Sequence, residues 1–292
     1  MDVLMPRTLE EALEMRAEHT GALPIAGGTD VMVQMNVTHV RPEVLLDLSR
    51  LAELQGWSSN GGELFVGAGV TYSRILHELP EMRALAQASR SVGSPQIRNR
   101  GTIGGNLGTA SPAGDALPVL AVHDTEVVLA STRGKRAVPW DAFLVGVKRT
   151  AIEPDELILG AHWRVLRGPQ SFSKVGTRNA MVIAVASLCF AIDPETRSAR
   201  VALGSVAPTV IRAPEAESFL AGAFAHAGAW DDPSARIADE DVEGFAELVA
   251  QAARPIDDVR GTAAYRRHAV RVLARRALGW AIDERAQEAL VS

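Results

Sequence analysis

Residues 98–115, RNRGTIGGNLGTASPAGD, hold five glycines and three hydroxyl side chains in eighteen positions. A stretch with so little to pack raises the question of what would lie against it. Glycine admits positive φ and lets a ligand approach the backbone closely. Within the stretch, GTIGGN (101–106) sets Gly104 and Gly105 between Thr102 and Asn106. An earlier segment, AGGTD (26–30), follows the strand-like LPI and precedes the helix-like VMVQMN; there Thr29 or Asp30 can cap the next turn. Backbone amides at such turns form natural anion sites. Two of them from separate regions can grip the two phosphates of a dinucleotide. Taken singly, either loop also reads as a tight turn without a ligand. Neither matches G-x-G-x-x-G, and G-x-x-x-x-G-K-[ST] occurs nowhere, which disfavours a Rossmann NAD site and a P-loop.

The other constraints are mostly exclusions. The chain has 292 residues, 47% hydrophobic and 22% charged, a globular balance that suggests about two domains. A net charge of −5 argues against a nucleic-acid partner. The single cysteine, Cys189, lies in the apolar run SLCFAI and reads as a buried strand thiol in a chain from a reducing compartment. Seven histidines are scattered without ligand spacing, so no metal site is expected. The N-terminus has neither the basic nor the apolar region of a signal peptide. The longest apolar run, MVIAVASLCFAI, falls short of the roughly 20 residues of a membrane span. A cytoplasmic chain without a span is the expectation.

Along the chain, TLEEALEMRAEH has helical spacing, with Thr8 and Glu11 placed as a capping box. LPI and VLLDL read as strands. QGWSSNGGE (55–63) reads as a turn-rich linker, then ELFVGAG as a strand, TYSRILHEL and EMRALAQASR as helices, and EVVLAS and RAVPW as a hairpin. From about residue 157 strands dominate: ELILGAHWRV, FSKV, MVIAVASLCFAI and ARVALGSV, the last two joined through DPETRSA. FLAGAFAHAGAWDDPS (219–234) reads as a flexible loop, and EDVEGFAELVAQ and TAAYRRHAVRVLARRAL as closing helices. The fold class is α+β.

AGGTD, RNRGTIGGNLGTASPAGDALP and FSKVGTRNAMVIA, followed by PIDDVRGTAAYRRHAVRVLARRAL, resemble in this order the FAD-binding medium subunits of the molybdenum hydroxylases. That family includes the xanthine and carbon monoxide dehydrogenases. The resemblance runs along essentially the whole chain. It implies a two-subdomain FAD-binding fold of the vanillyl-alcohol-oxidase (PCMH-like) kind, residues 1–56 and 57–168, then a C-terminal subdomain, 169–292, of antiparallel sheet and helices. On the same resemblance Pro24, Ile25, Ala26, Gly27, Gly28, Thr29, Asp30 and Val31 form the first FAD loop. Val92 lies near the cofactor, and Thr102, Ile103, Gly104, Gly105 and Asn106 form the second loop. Ser111 and Asp115 come close to the cofactor, Asp115 as an acceptor for sugar hydroxyls. Ile158 packs near the isoalloxazine ring, and Lys174 places a cation near the flavin. Read without the family, Asp115 is a helix N-cap before ALPVLAV, Ile158 is strand core, and Lys174 is a surface lysine at a strand end.

The resemblance further implies a chain that carries FAD and passes electrons from [2Fe–2S] clusters on a partner to NAD+ or another acceptor. One cysteine cannot ligate a cluster. Partners would be a large molybdopterin-binding subunit and a small iron–sulfur subunit, in a heterotrimer or its dimer. No catalytic acid, base or nucleophile is expected on this chain. Thr29–Asp30 stands where carbon monoxide dehydrogenases usually carry His-Ser, which points instead to xanthine or hypoxanthine oxidation. Two alternatives remain: a self-contained FAD oxidoreductase with its own substrate, and a non-catalytic nucleotide-binding assembly protein.

Overall fold

Thr8 accepts a hydrogen bond from the Glu11 amide at 3.1 Å in the computed structural model, which describes residues 1–39 and 41–291. In the same way Thr71 and Ser94 accept the amides three residues on. These caps start helices because the first amides of a helix have no partner within it. In chain order the first elements are β1 (Asp2–Leu4), α1 (Leu9–Glu18), β2 (Leu23–Ile25), α2 (Val31–Thr38), β3 (Val44–Asp47), β4 (Trp57–Asn60) and β5 (Glu63–Gly67). Four short helices follow, α3 (Tyr72–Glu78), α4 (Arg83–Ser91), α5 (Pro95–Arg100) and α6 (Ile103–Thr109), and then α7 (Leu117–Val122). Next are β6 (Glu126–Ser131), β7 (Gly134–Pro139), α8 (Trp140–Phe143), β8 (Leu144–Gly146), β9 (Arg149–Thr150) and β10 (Leu157–Arg164). The chain closes with β11 (Gln170–Val175), β12 (Ala186–Asp193), β13 (Ser198–Gly204), β14 (Ile211–Arg212), α9 (Pro214–His226), α10 (Asp239–Ala252) and α11 (Ala263–Val291).

The chain divides into two compact units. The first comprises residues 1–80, 92–111 and 124–165. It has a parallel sheet of order β1-β3-β2 and an antiparallel sheet of order β4-β5-β10-β6-β7. Ala12 of α1, Leu46 of β3, Ala130 of β6, and Leu157 and Leu159 of β10 share one buried core. α1 brings its apolar stripe to that core while Glu10 and Glu14 stay in water, which is why its sequence has helical spacing.

The second unit comprises residues 81–91, 112–123 and 166–292. Its antiparallel sheet runs β11-β12-β13-β14. All eight residues of β12 are buried. Leu188, Phe190 and Ile192 on one face join a core with Leu220 of α9, Phe245 of α10 and Leu278 of α11. Phe190 and Phe245 meet edge to face, ring centres 5.6 Å apart. α7 packs against β12 and β13. The guanidiniums of Arg200 and Arg212 donate to its last carbonyls, those of Val122 at 3.0 Å and Ala121 at 3.1 Å. Cations at the end of a helix interact favourably with its last carbonyls.

Four expectations are corrected. The linker 55–63 contains β4, which pairs with β5 and forms a sheet edge. The stretch 98–115 is largely helical, in α5 and α6. The loop expected over 219–234 begins inside α9, since Ala216, Leu220, Ala223 and Phe224 are buried and stabilise the helix despite its small residues. The strand expected over MVIAVASLCFAI starts only at Ala186, because Met181 and Ile183 are exposed and outside the sheet. The hairpin through DPETRSA is present, with β12 and β13 paired from Ser187↔Gly204 to Asp193↔Ser198.

Candidate cofactor site

In the first unit the two glycine segments come together. Pro24 and Ile25 end β2, Ala26 to Asp30 form the turn, and Val31 opens α2. Gly28 has φ of 74°, which an L side chain rarely adopts. Gly27 faces the other segment, where a Cβ would lie 1.9 Å from the Arg100 carbonyl oxygen. Only glycine permits that approach. Asp30 does not cap α2 with its side chain; its carboxylate accepts the Thr109 hydroxyl at 3.0 Å, so the first loop is tied to the end of α6.

The second segment is a helix start. Thr102 caps α6 by accepting the Gly105 amide at 2.9 Å. The Ile103 and Gly104 amides donate to Val70 at 3.1 Å and to Ala68 at 2.9 Å. A Cβ on Gly104 would come within 2.5 Å of the Ala68 Cβ, so that glycine serves packing. Gly105 and Gly108 differ, being exposed; a Cβ on Gly105 would press on the Thr102 hydroxyl at 3.2 Å, whereas Gly108 has room for a side chain. Three residues apart, they give α6 a strip of bare backbone, with the half-buried Ile158 3.6 Å from where a Gly108 Cβ would stand. Beside them, the Asn106 side-chain oxygen is buried without a hydrogen-bond partner. A buried acceptor left unpaired destabilises by about 1–3 kcal/mol. A bound group with hydroxyl or amine donors would satisfy it, and the sugar hydroxyls and adenine amine of FAD are such donors. The residues present therefore fit that cofactor. Val92 is half-buried, its carbonyl accepting from Arg98 at 3.0 Å. Ser111, also half-buried, closes the unit's middle segment.

The second unit holds Asp115 and Lys174. Asp115 does not cap α7, whose N-cap is Ala116. Its carboxylate, 7% exposed, accepts the Lys174 ammonium at 2.6 Å and the Ser91 hydroxyl at 3.0 Å. Lys174 also donates to the backbone carbonyls of Ser91 at 2.8 Å and Val182 at 3.1 Å. Its three donors thus have three acceptors, and it is no surface lysine. Burial pushes the Asp115 carboxyl above its usual range, against the opposing pull of Lys174 and Ser91. The Gln87 side chain accepts the Phe172 amide at 2.7 Å, which fixes α4 to β11 around this pair. Ser91 and Val182 have no signature in the sequence, since they act chiefly through carbonyls. Thr109 does have one, as the next hydroxyl after the GGN of α6.

Among the described residues no three His, Cys, Asp or Glu side chains gather as a metal site. Cys189 is fully buried, and burial pushes its thiol far above the ordinary range. No helix among the described residues is long and apolar enough to cross a membrane.

Residues 1–162 match the family described as the FAD binding domain in molybdopterin dehydrogenase, and residues 171–281 the CO dehydrogenase flavoprotein C-terminal domain. The xanthine dehydrogenase FAD-binding subunit of Escherichia coli O157:H7 is 28% identical over 94% of each chain. The glyceraldehyde dehydrogenase medium chain of Sulfolobus acidocaldarius is 30% identical over 92% of this chain and 94% of its own. Among solved structures, a carbon monoxide dehydrogenase from Hydrogenophaga pseudoflava lacking the Mo-pyranopterin moiety of its cofactor superposes with a TM-score of 0.86. Its identity is 27%, over 98% of both chains. With an FAD-binding domain followed by the matching C-terminal domain, this chain belongs to the FAD-binding medium subunits of the molybdenum hydroxylases and is an oxidoreductase subunit.

Proposed function

We propose that this chain holds FAD for electron transfer within a multi-subunit molybdenum hydroxylase, between [2Fe–2S] clusters on a partner chain and NAD+ or another acceptor. The observation that carries the reading is the junction of the two glycine segments, Gly27 against the Arg100 carbonyl, with the unpaired Asn106 oxygen beside the bare backbone of α6. Bound FAD supplies the exchange of one or two electrons, and the residues of the chain bind and orient it. In the first unit, residues 24–31 and 102–106 are the proposed cofactor loops, with Val92, Ser111 and Ile158 in supporting places. In the second unit, Asp115 and Lys174 enter the proposal as a buried charged pair.

The partners follow from what the chain lacks. Its one cysteine is buried in β12, so cluster ligands must come from elsewhere. We place it with a large molybdopterin-binding subunit and a small iron–sulfur subunit in a cytoplasmic heterotrimer or its dimer. Residues 1–56 and 57–168 would be the two FAD subdomains and 169–292 the third. Purine oxidation is the proposed holoenzyme reaction, supported by Thr29–Asp30 and by likeness to a xanthine dehydrogenase subunit along nearly the full length. The test is to capture the native complex through a tag on this chain and identify its flavin, metals and subunits. Screening against xanthine, hypoxanthine, carbon monoxide and aldehydes follows. The expected complex contains FAD, iron and molybdenum on three chains and oxidises purines. A complex free of flavin would overturn the cofactor assignment, and turnover by this chain alone would favour a self-contained oxidase.

A further inference from the structure

α11 packs one side into the second unit's core through Val270, Leu273, Ala274, Ala277, Leu278 and Ala281. Its other side carries Val272, Arg276, Gly279, Trp280, Asp283 and Gln287. At roughly 100° per residue these six fall within an arc of about 100°, a single face of the helix. Three features of that face go unused among the described residues. Trp280 is 51% exposed. Gly279 weakens the middle of a long helix, yet a Cβ there would meet nothing within 4 Å, so no packing among the described residues requires it. Arg276 and Asp283 are exposed, and among the described residues neither is engaged by an ion pair. The neighbouring Glu284 is taken by Arg83.

The positions are self-complementary. Arg276 and Asp283 lie equally far from the midpoint between Gly279 and Trp280, as do Val272 and Gln287. We propose that this face of α11 docks antiparallel on the same face of a second copy of the chain. A two-fold axis at Gly279–Trp280 sets each Trp280 ring over the bare backbone of the opposing Gly279. It also pairs Arg276 with the opposing Asp283 twice. The groove beside Trp280, about 480 Å³, is bordered by the Arg83–Glu284 pair and by Asp283 and Glu288, whose carboxylates face the arriving guanidinium. A two-fold contact of this kind uses one patch twice and closes on itself. A buried aromatic ringed by charge pairs is the usual energetic centre of such an interface. One helix pair is smaller than the standard interface of about 1,600 Å², so the dimer is expected to be weak, with a Kd on the order of 10 µM.

Sedimentation of the full chain over a concentration series tests this, with the mass expected to rise from 31.1 kDa toward twice that value. Arg276→Asp and Asp283→Arg should each weaken association by at least tenfold, because each sets like charges opposite one another. Mixing these two single variants should restore a dimer, and so should the double swap in one chain. All these positions are exposed, so circular dichroism should show every variant folded. A wild-type chain that stays monomeric at 200 µM would overturn the proposal. So would a double swap that fails to recover association, since docking onto a different, unaltered partner is not rescued by it.

Discussion

Lys174→Met removes an ammonium and keeps most of the stem. Around it, the Asp115 carboxylate would stay buried at 7% exposure with only the Ser91 hydroxyl, and the carbonyls of Ser91 and Val182 would lose a donor. Removing one partner of a buried ion pair destabilises by about 3–5 kcal/mol, because the remaining charge has neither water nor counter-ion. The loss should depend on pH with a definite sign. Burial already raises Asp115 above the unfolded value, and Lys174 is the larger of the two opposing influences. With Lys174 gone, the native carboxyl holds its proton to higher pH than the unfolded chain does. The native state then binds more protons, and stability falls as pH rises through the folded pKa. Urea unfolding of wild type and variant at about pH 5 and about pH 8 measures this, with the larger difference expected at the higher pH. Lys174→Met combined with Asp115→Leu should recover to within about 2 kcal/mol of wild type, since an apolar pair carries no buried charge. A single variant within about 1 kcal/mol of wild type at both pH values would refute the reasoning.

Gly27→Ala places a methyl group 1.9 Å from the Arg100 oxygen and must part the two loops; FAD titration should show at least about tenfold weaker binding, whereas Gly21→Ala, with nothing within 4 Å, should leave it unchanged. Asn106→Ala removes a buried acceptor that has no partner, so the protein without FAD should gain about 1 kcal/mol in urea while FAD affinity drops about tenfold. Loss of stability together with unchanged affinity would show that Asn106 serves the fold instead. Cys189 should resist a thiol reagent in the native protein and react fully in urea, as its burial and raised pKa require; fast labelling without urea would contradict its place in β12.

Local chemistry made much of the fold legible. Thr8 and Thr71 announced helix starts because a hydroxyl three residues before a free amide is a short-range device. DPETRSA announced a hairpin because a polar turn between apolar strands acts within a few residues. The glycines of AGGTD and GTIGGN marked where backbone would approach something closely, and Gly27 does so at Arg100. Cys189 in its apolar run read correctly as a buried strand thiol.

Tertiary structure alone decided the rest. WSSN is an exception: it became β4 by folding back on β5 across Gly61 and Gly62, whose positive φ makes a two-residue hairpin turn, a local cue masked by the polar strand residues. FLAGAFAH became helical because Leu220 and Phe224 found a core to enter, although glycine and small side chains suggested a loop. Asp115 could be read as a cap or a cofactor ligand. Its burial against Lys174 joins residues 59 positions apart, and that pairing depends on α7 being packed against β12, the neighbour of β11. The sequence supplied the residue types and their local turns; packing determined which polar atoms were buried and which donors could reach them, because burial depends on residues distant in the chain.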